Sequence, residues 1–211
     1  MAKKVKLEKI AIEVNVLITA IVGDKLEVVM TKRAEAPLKG KLEILNTNVT
    51  KTESLDDAAK RLVKEVTGFK KVEVAQLGTY GDVKRKPDDR VISVAYIAFI
   101  PMNTFDAKAA GVEFYAVDDL IKSKNIAFDN KKMVEDLKNK LKAEVTYTDV
   151  AFKFVEEEFT LPDLQRVHEV LLEKKLFKTN FRRKIVDLVE QTEFQMVGDA
   201  HRPSRVYKRK K

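Results

Sequence analysis

The charge of this chain is divided unevenly along its length, and the division constrains the fold more than any single motif does. The last 38 residues, 174–211, carry 12 Lys and Arg against 4 Asp and Glu, whereas the residues before them carry 29 of each sign. The whole net charge of +8 therefore belongs to one C-terminal segment. A length of 211 residues is comfortable for two domains, and a concentrated basic patch is typical of a protein with a polyanionic partner. We therefore predict a neutral body at 1–144 and a nucleic-acid-binding domain at 145–211.

Composition excludes several kinds of site. The chain has no Cys and only two His residues, His168 and His201. Disulfides, thiolate zinc sites, a cysteine nucleophile and a zinc site built from three histidines are therefore excluded. The basic start precedes an apolar stretch, but Glu13 and Asn15 interrupt it, and no run has the length of a membrane helix. We expect a cytoplasmic protein that uses no metal, cofactor or membrane.

The body alternates between strand patterns and helix patterns. A helix is predicted to begin at Ser54, a natural N-cap with Asp57 as its capping-box partner, and to end at Gly68. Its apolar residues fall on one face, and a second amphipathic helix is predicted over 131–143. Strand patterns cover 10–16, 26–31, 72–80, 90–101 and 114–117.

No element is predicted for the polar stretch 35–53, which Pro37 and Gly40 punctuate. Strands on both sides of one central helix, with another helix closing, indicate an α/β sandwich rather than a doubly wound sheet.

The C-terminal segment has the pattern of a helix-turn-helix. Thr160 caps a helix that runs to Glu173, with Pro162 in its first turn and Asp163 as the capping-box acid. After a short basic turn, a second helix begins near Thr179 or Asn180. Its inward positions are Phe181, Ile185, Leu188 and Val189.

The flanks of this helix-turn-helix predict a winged helix. Residues 149–155 are expected to form its first helix, and residues 192–210 to form two short strands around a Gly198-Asp199 tip. A charged helix face is usually just solvated, but basic residues on both the second helix and the wing favour DNA binding. His168 is expected to be structural. The predicted DNA-binding residues are Lys178, Asn180, Arg182, Arg183, Lys184, His201, Arg202 and Arg205.

Segment 47–69 resembles the signature of the Nudix hydrolases, in which a Gly precedes a Glu and an R-E-x-x-E-E-x-G run lies on a helix. Glu53, Arg61, Glu65 and Gly68 fall on signature positions. The resemblance implies a Nudix-like α/β/α sandwich. The loop 81–96 also resembles a G-D-x-x-R-D-P-x-x-R-V-I-S-V-A-Y stretch of one Nudix-related branch, with Lys86 in place of the usual Asp.

The signature departs from its pattern at the positions that matter for chemistry. Leu62 and Val66 stand where two signature Glu residues are usual, and Thr47 replaces the signature Gly. Carboxylates at i, i+3 and i+4 share one helix face and together hold divalent metal ions against a pyrophosphate. Glu65 alone cannot assemble that cluster, so we predict a Nudix-like fold without catalytic residues.

The C-terminal half is similar to the winged helix of the NrtR-type regulators, which combine it with an N-terminal Nudix-like sensor. The resemblance implies a transcription factor, mainly a repressor, that binds a palindromic operator on double-stranded DNA as a homodimer. The matching residues are Phe159, Thr160, Leu164, Gln165, Asn180, Phe181, Arg182, Arg183, Lys184, His201, Arg202, Pro203 and Tyr207.

The resemblance leaves two effectors open. Many members sense ADP-ribose and control NAD metabolism, whereas a Bacteroidetes branch responds to sugars such as arabinose. The chain departs from the usual pocket at Leu42, where Trp is usual, at Asn46-Thr47, where Gly-Gly is usual, and at Asn130, where His is frequent. The effector is therefore ADP-ribose or a pentose. The predicted effector-binding residues are Arg33, Lys39, Glu53, Arg61, Glu65, Asp82, Arg85 and Arg90.

Two other functions remain as alternatives at this point. A Nudix hydrolase of ADP-ribose or a related nucleoside diphosphate derivative would show magnesium-dependent turnover that Glu65→Gln abolishes. A sequence-indifferent nucleic-acid-binding protein would show steep salt dependence and no preference for a palindrome.

Overall fold

The computed structural model describes residues 9–87, 89–101, 104–105, 111–196 and 204–210, with the backbone alone at 194–196. The strands in these residues are β1 (Ala11–Val22), β2 (Lys25–Lys32), β3 (Leu42–Asn48), β4 (Val74–Tyr80), β5 (Val91–Phe99), β6 (Glu113–Ala116), β7 (Glu158–Thr160), β8 (Val189–Met196) and β9 (Ser204–Arg209). The helices are α1 (Leu55–Thr67), α2 (Val117–Lys122), α3 (Asn130–Glu144), α4 (Leu161–Leu172) and α5 (Lys178–Ile185), with a 3-10 helix at Val150–Phe154.

The first strand is central in a six-stranded sheet of order β4-β5-β1-β3-β2-β6. It runs parallel to β5 and antiparallel to β3, and its second half also pairs with β2. The alternation at 10–16 predicted a half-buried strand with one face exposed to solvent. The strand is present, but its half-exposure was predicted wrongly, because residues 13–21 are all buried. The reason is that helices cover both faces of the sheet, so Glu13 and Asn15 are buried with their apolar neighbours.

The strand β3 lies inside the stretch for which no element was predicted, so that prediction was also wrong. Its first residues, Leu42, Ile44 and Leu45, are buried. Its last residues pair with β1, where Glu13 lies opposite Asn48 and Asn15 opposite Asn46. The exposed polar residues at the end of β3 give this segment the composition of a loop. It is a strand because it pairs with both β1 and β2, and composition does not reveal that pairing.

The helix α1 covers one face of the sheet as predicted. Ser54 caps it by accepting from the Asp57 backbone N–H at 3.1 Å, and Gly68 ends it in the left-handed conformation at φ 75°. Its buried residues are Ala58, Ala59, Leu62 and Val63. Full burial of a Leu or Val side chain contributes about 1.5–3 kcal/mol, so this face holds α1 on the sheet.

The helix α3, also predicted, covers the other face. Met133, Val134, Leu137 and Leu141 are completely buried there. The predicted strands at 26–31, 72–80, 90–101 and 114–117 are confirmed as β2, β4, β5 and β6, and the short α2 after β6 was not predicted. The first domain is therefore an α/β/α sandwich.

The second domain contains the predicted helix-turn-helix and wing. Thr160 and Asp163 form the complete capping box at the start of α4, as predicted. The strands β7, β9 and β8 make a three-stranded sheet in that order. The Gly198-Asp199 tip lies outside the described residues.

Two details of this domain were predicted wrongly. The segment expected to be its first helix is a short 3-10 helix, Val150–Phe154, whose residues Val150, Ala151 and Phe154 are buried in the same apolar cluster as α4. The helix α5 ends at Ile185, so Leu188 is 43% exposed instead of inward, and Val189 begins β8. The inward residues Phe181 and Ile185 are buried as predicted.

The two domains share one apolar core. A single cluster of buried side chains runs from Leu17 in β1 through Leu137 and Leu141 of α3 to Leu164 of α4 and Phe181 of α5. Because the cluster is close-packed and continuous, a change in side-chain packing in the sheet domain can be passed through neighbouring side chains to α5. Within the residues described, no helix is both long and apolar enough to cross a membrane.

Candidate DNA interface and effector site

The helix α5 presents a basic outer face. Phe181 and Ile185 anchor its inner face, and this leaves Arg182, Arg183 and Lys184 exposed on consecutive positions. Lys178 and Asn180 are exposed in its first turn. The structure thus brings together five of the eight predicted DNA-binding residues on one short helix, which a helix-turn-helix places in the major groove.

The wing adds a further cation beside this helix. Val206 of β9 is buried, so its neighbour Arg205 projects outward, where its guanidinium donates to Gln191 Oε1 at 3.3 Å. Arg205 and Arg182 both line a groove of roughly 770 Å³ between α5 and the β8–β9 wing. The two other predicted wing residues, His201 and Arg202, lie outside the described residues.

Beside the sheet, Arg61 organises the remnant of the Nudix signature. Its guanidinium donates to both carboxylate oxygens of Glu53, at 2.9 and 3.0 Å, and reaches Glu65 at 3.5 Å. It also donates to Thr47 Oγ1 at 3.2 Å and to the Asn48 carbonyl at 3.1 Å. The Arg61 hydrogen bond lowers the pKa of Glu53 to about 2. The structure therefore brings Glu53, Arg61 and Glu65 together as a closed ion-pair network.

The departures from the signature are packed as apolar residues. Leu62 is 8% exposed in the core between α1 and the sheet, and Val66 packs against the same cluster. Among the side chains that the structure describes, no group of three or more His, Cys, Asp or Glu residues is placed to hold a metal ion.

On the opposite face of the sheet, Arg85 is the centre of a buried ionic cluster. Its side chain is 1% exposed and donates to Asp129 at 2.9 and 3.0 Å and to Glu13 at 2.9 Å. Lys86 approaches the second Glu13 oxygen at 2.5 Å. The loop 81–90 is thereby tied to β1 and to the start of α3, and the predicted effector residue Arg85 has its charge neutralised inside the fold.

A row of buried amide and hydroxyl groups continues from this cluster. The Asn15 side chain accepts from the Ser93 hydroxyl, both fully enclosed in the sheet. Asn130, at the start of α3, accepts from the Ile44 backbone N–H at 2.8 Å. Asn46, opposite Asn15 on the neighbouring strand, is exposed. The row therefore reaches solvent at Asn46, and we call these four residues, Asn15, Asn46, Ser93 and Asn130, the polar patch. It was not predicted as a site. The sequence signal that could have indicated it is an Asn and a Ser within otherwise apolar strands.

The remaining predicted effector residues border this patch or hold its loops. Arg33 pairs with Glu43 at 3.0 Å and lies 4.9 Å from the centre of the Phe128 ring, while Lys86 lies 5.5 Å from the same ring. Asp82 and Arg90 are joined within their loop, since Arg90 donates to the Asp82 carbonyl at 3.4 Å. Lys39 is exposed. Phe128 was not predicted, yet it links the β2–β3 loop to the loop 81–90.

Together these features define a class of protein: an α/β/α sandwich with a polar patch beside its sheet, joined to a winged helix with a basic face. Comparison with known protein families identifies the same two domains. The model of the Nudix domain matches residues 12–137, and the model of the NrtR DNA-binding winged helix domain matches residues 151–208. The chain belongs to the Nudix family, and its C-terminal part is a winged helix of the NrtR type.

Two similar proteins match nearly the whole chain. The chain is 23% identical over 202 residues to the ADPR responsive transcriptional repressor NtrR of Acinetobacter baylyi, spanning 92% of this chain and 80% of that protein. The crystal structure of Shewanella oneidensis NrtR complexed with a 27mer DNA superposes with a TM-score of 0.84 and 27% identity, covering 94% of this chain and 93% of that one.

Another similar protein matches a shorter part of the chain. The ADP-ribose pyrophosphatase of Methanocaldococcus jannaschii is 30% identical over 125 residues, 57% of this chain and 71% of that protein. The resemblance to NrtR-type regulators, predicted from the two motif sets in their order along the chain, is confirmed.

Proposed function

We propose that the chain is a transcriptional repressor whose winged helix, at 145–211, binds a palindromic operator on double-stranded DNA as a homodimer in the cytoplasm. The observation that carries this proposal is the basic face of α5, where Arg182, Arg183 and Lys184 are exposed beside the wing residue Arg205. The relatives named as a repressor and as a DNA complex support it, because they span both domains.

The effector domain at 1–144 senses a small molecule and sets the operator affinity. ADP-ribose is the first candidate, because the Acinetobacter relative is named for its response to it. Effector binding shifts the relative placement of the two wings and thereby their fit to two half-sites about one helical turn apart. The regulated genes then belong to NAD metabolism.

A pentose such as L-arabinose is the second candidate, and one observation favours it. Three of the predicted effector-binding arginines are each paired with carboxylates: Arg33 with Glu43, Arg61 with Glu53, and Arg85 with Glu13 and Asp129. A pyrophosphate needs unpaired cations, whereas the hydroxyl groups of a sugar bind to amides such as Asn46 and leave ion pairs intact. The regulated genes then belong to sugar catabolism.

We further propose that the domain is not an enzyme. Leu62 and Val66 contribute to the packing of α1 where catalysis requires metal-binding carboxylates, and Glu65 is held by Arg61. The competing function is hydrolysis of ADP-ribose or a related nucleoside diphosphate derivative, as in the pyrophosphatase relative. Magnesium-dependent release of AMP from ADP-ribose, abolished by Glu65→Gln, would establish that function instead.

Two titrations of the purified full chain test the proposal. In thermal unfolding, a ligand that binds only the native state stabilises it by about 2.7 kcal/mol at a hundredfold excess over its dissociation constant. ADP-ribose and L-arabinose are compared with AMP and D-glucose as controls. In the second titration, a duplex selected from a randomised pool is bound by the protein with and without whichever ligand shifts the midpoint. A regulator requires a selected sequence, and an effector requires a change in its affinity.

A further inference from the structure

One large apolar side chain stands among the basic residues at the start of α5. Phe177, the residue directly before the helix, is 82% exposed. Its neighbours along the helix, Lys178 and Asn180, are exposed polar residues. An aromatic side chain left in water forgoes the free energy of burial, which for a ring of this size is about 1.5–3 kcal/mol. The exposed Phe177 ring is therefore available to pack against a bound partner at the start of the DNA-binding helix.

The backbone around Phe177 is held rigidly. The Leu176 N–H donates to Glu169 Oε1 at 2.9 Å, and the Leu176 carbonyl accepts from Gln165 Nε2 at 2.9 Å. On the other side, the Phe177 carbonyl accepts the first helical hydrogen bond, from the Phe181 N–H at 2.9 Å. The helix α4 thus fixes the backbone from which this ring projects, so no backbone ordering is needed when the ring is covered.

The location of the ring selects the partner. In helix-turn-helix proteins the first residues of the second helix face base edges in the major groove. The apolar feature on those edges is the C5-methyl group of thymine, and Phe is among the side chains that pack on it. Asn180, in the same turn of helix, has the amide that pairs with the N6 and N7 atoms of adenine.

We propose, on the basis of the proposed DNA-binding function, that Phe177 is a base-reading residue that packs on the C5-methyl group of a thymine in each half-site. Through this contact the start of α5 distinguishes the DNA base by its methyl group. Arg182, Arg183 and Lys184 add positive charge that attracts the DNA. The operator therefore contains a thymine in each half-site at which the methyl group itself, and not the base pair alone, contributes to affinity.

The test uses the full chain and a duplex that the wild-type protein selects from a randomised pool. Each thymine of that duplex is replaced in turn by deoxyuridine, which lacks only the C5-methyl group. For the wild-type protein, one position in each half-site weakens binding about fourfold, the equivalent of about 0.8 kcal/mol for one buried carbon. Phe177→Ala weakens binding to the unmodified duplex and no longer distinguishes thymine from uracil at that position.

A matched control is Tyr147→Ala, which removes an aromatic side chain that is 88% exposed and remote from α5 in sequence. It leaves affinity and the uracil effect unchanged. Both variants should unfold at the wild-type midpoint, because neither ring is packed. If Phe177→Ala retains the uracil effect, or the wild-type protein shows none, the inference is overturned while the proposed function stands. A wild-type protein that selects no sequence would overturn both. A Phe177→Ala change in oligomeric state with no uracil effect would assign the ring to a second copy of the chain and also overturn the inference.

Discussion

Lys138 of α3 and Glu173 at the end of α4 form an ion pair of 2.5 Å across the two domains. Lys142, one turn further along α3, donates to the other Glu173 oxygen, and Lys138 also contacts Asp118 at 2.6 Å. Glu173 has the left-handed conformation, φ 55°, at the turn that leads to α5. The opposite end of α3 holds Asp129 and its bonds to the buried Arg85. One helix therefore contacts both the buried Arg85 cluster and the turn before α5.

This ion pair is expected to transmit the effector signal more than it stabilises the fold. An exposed or half-exposed ion pair contributes about 0–1 kcal/mol, so Glu173→Gln, which removes two such pairs, should lower the unfolding free energy by no more than about 2 kcal/mol. The affinity of the effector-free protein for its selected duplex should stay within about twofold, while the change in that affinity on effector binding shrinks. The measurement is a duplex titration with and without effector.

A matched control for this experiment lies within α3. Lys140 and Glu144 form an ion pair of 2.8 Å that does not leave the helix. Glu144→Gln removes a carboxylate of similar exposure without touching the winged helix, so it should preserve the effector response. Equal responses of the two variants would contradict a role of Glu173 in coupling.

The Arg85 cluster should be essential for the stability of the first domain. Arg85→Met leaves the carboxylates of Glu13 and Asp129 without their main partner, and Glu13 is 5% exposed. Breaking a buried ion pair from one side costs about 3–5 kcal/mol when the remaining charge has no other partner. Lys86 still pairs with Glu13 and Asp129 is partly exposed, so the lower end of that range, about 3 kcal/mol, is expected. Denaturant unfolding should show a loss of this size. Arg90→Met, in the same loop but with one long bond to the Asp82 carbonyl, should cost less than about 1 kcal/mol.

The sequence predicted most elements of the fold because their signals are local. Ser54, Gly68 and Thr160 mark helix ends by bonds within a few residues, and these were predicted correctly. The strand β3 was missed because its identity depends on pairing with β1, whose partner residues lie about thirty positions away.

The candidate sites divide in the same way. The basic face of α5 follows from helical spacing around Phe181, so it could be predicted. The pairing of Arg85 with Glu13 spans 72 positions, and that of Asn15 with Ser93 spans 78. Such contacts depend on the order of strands in the sheet, which spacing does not encode. The sequence motif therefore indicated Arg85 as a site residue, but it could not indicate that Glu13 and Asp129 neutralise its charge within the fold.

His168 should make the second domain sensitive to acid. The side chain is 6% exposed, its ring lies 5.2 Å from that of Phe181, and its Nε2 atom has no hydrogen-bond partner among the residues that the structure describes. Burial, reinforced by the nearby Lys184 charge, lowers the pKa of His168 to about 4 from 6.5. The unfolded chain therefore binds a proton more readily than the folded chain does. The stability that the neutral imidazole provides is complete above pH 6.5 and is lost as the pH falls towards 4, by roughly 3 kcal/mol in total.

The measurement for His168 is the unfolding free energy between pH 7 and pH 4. His168→Leu should flatten this dependence relative to the wild-type protein, even if its stability at pH 7 is lower. If the unfolding free energy of the two proteins depends equally on pH, protonation of His168 is not the cause of the loss of stability in acid.

Arg183 provides the most direct check of the DNA interface. It is exposed on α5 between Arg182 and Lys184, so Arg183→Ala should leave the unfolding midpoint unchanged. Loss of a groove or phosphate contact should weaken binding to the selected duplex by about 1–3 kcal/mol per half-site. If the contact is to a phosphate, the slope of log affinity against log salt should also fall by about one per half-site.

The control for Arg183 is Lys64→Ala, which removes the same charge from an exposed position of α1 in the other domain. Net charge acts over long range and weakly at physiological salt, where the Debye length is about 8 Å. Lys64→Ala should therefore change the affinity by less than about twofold. A loss as large as that of Arg183→Ala would mean that overall charge, and not the face of α5, determines how the protein binds DNA.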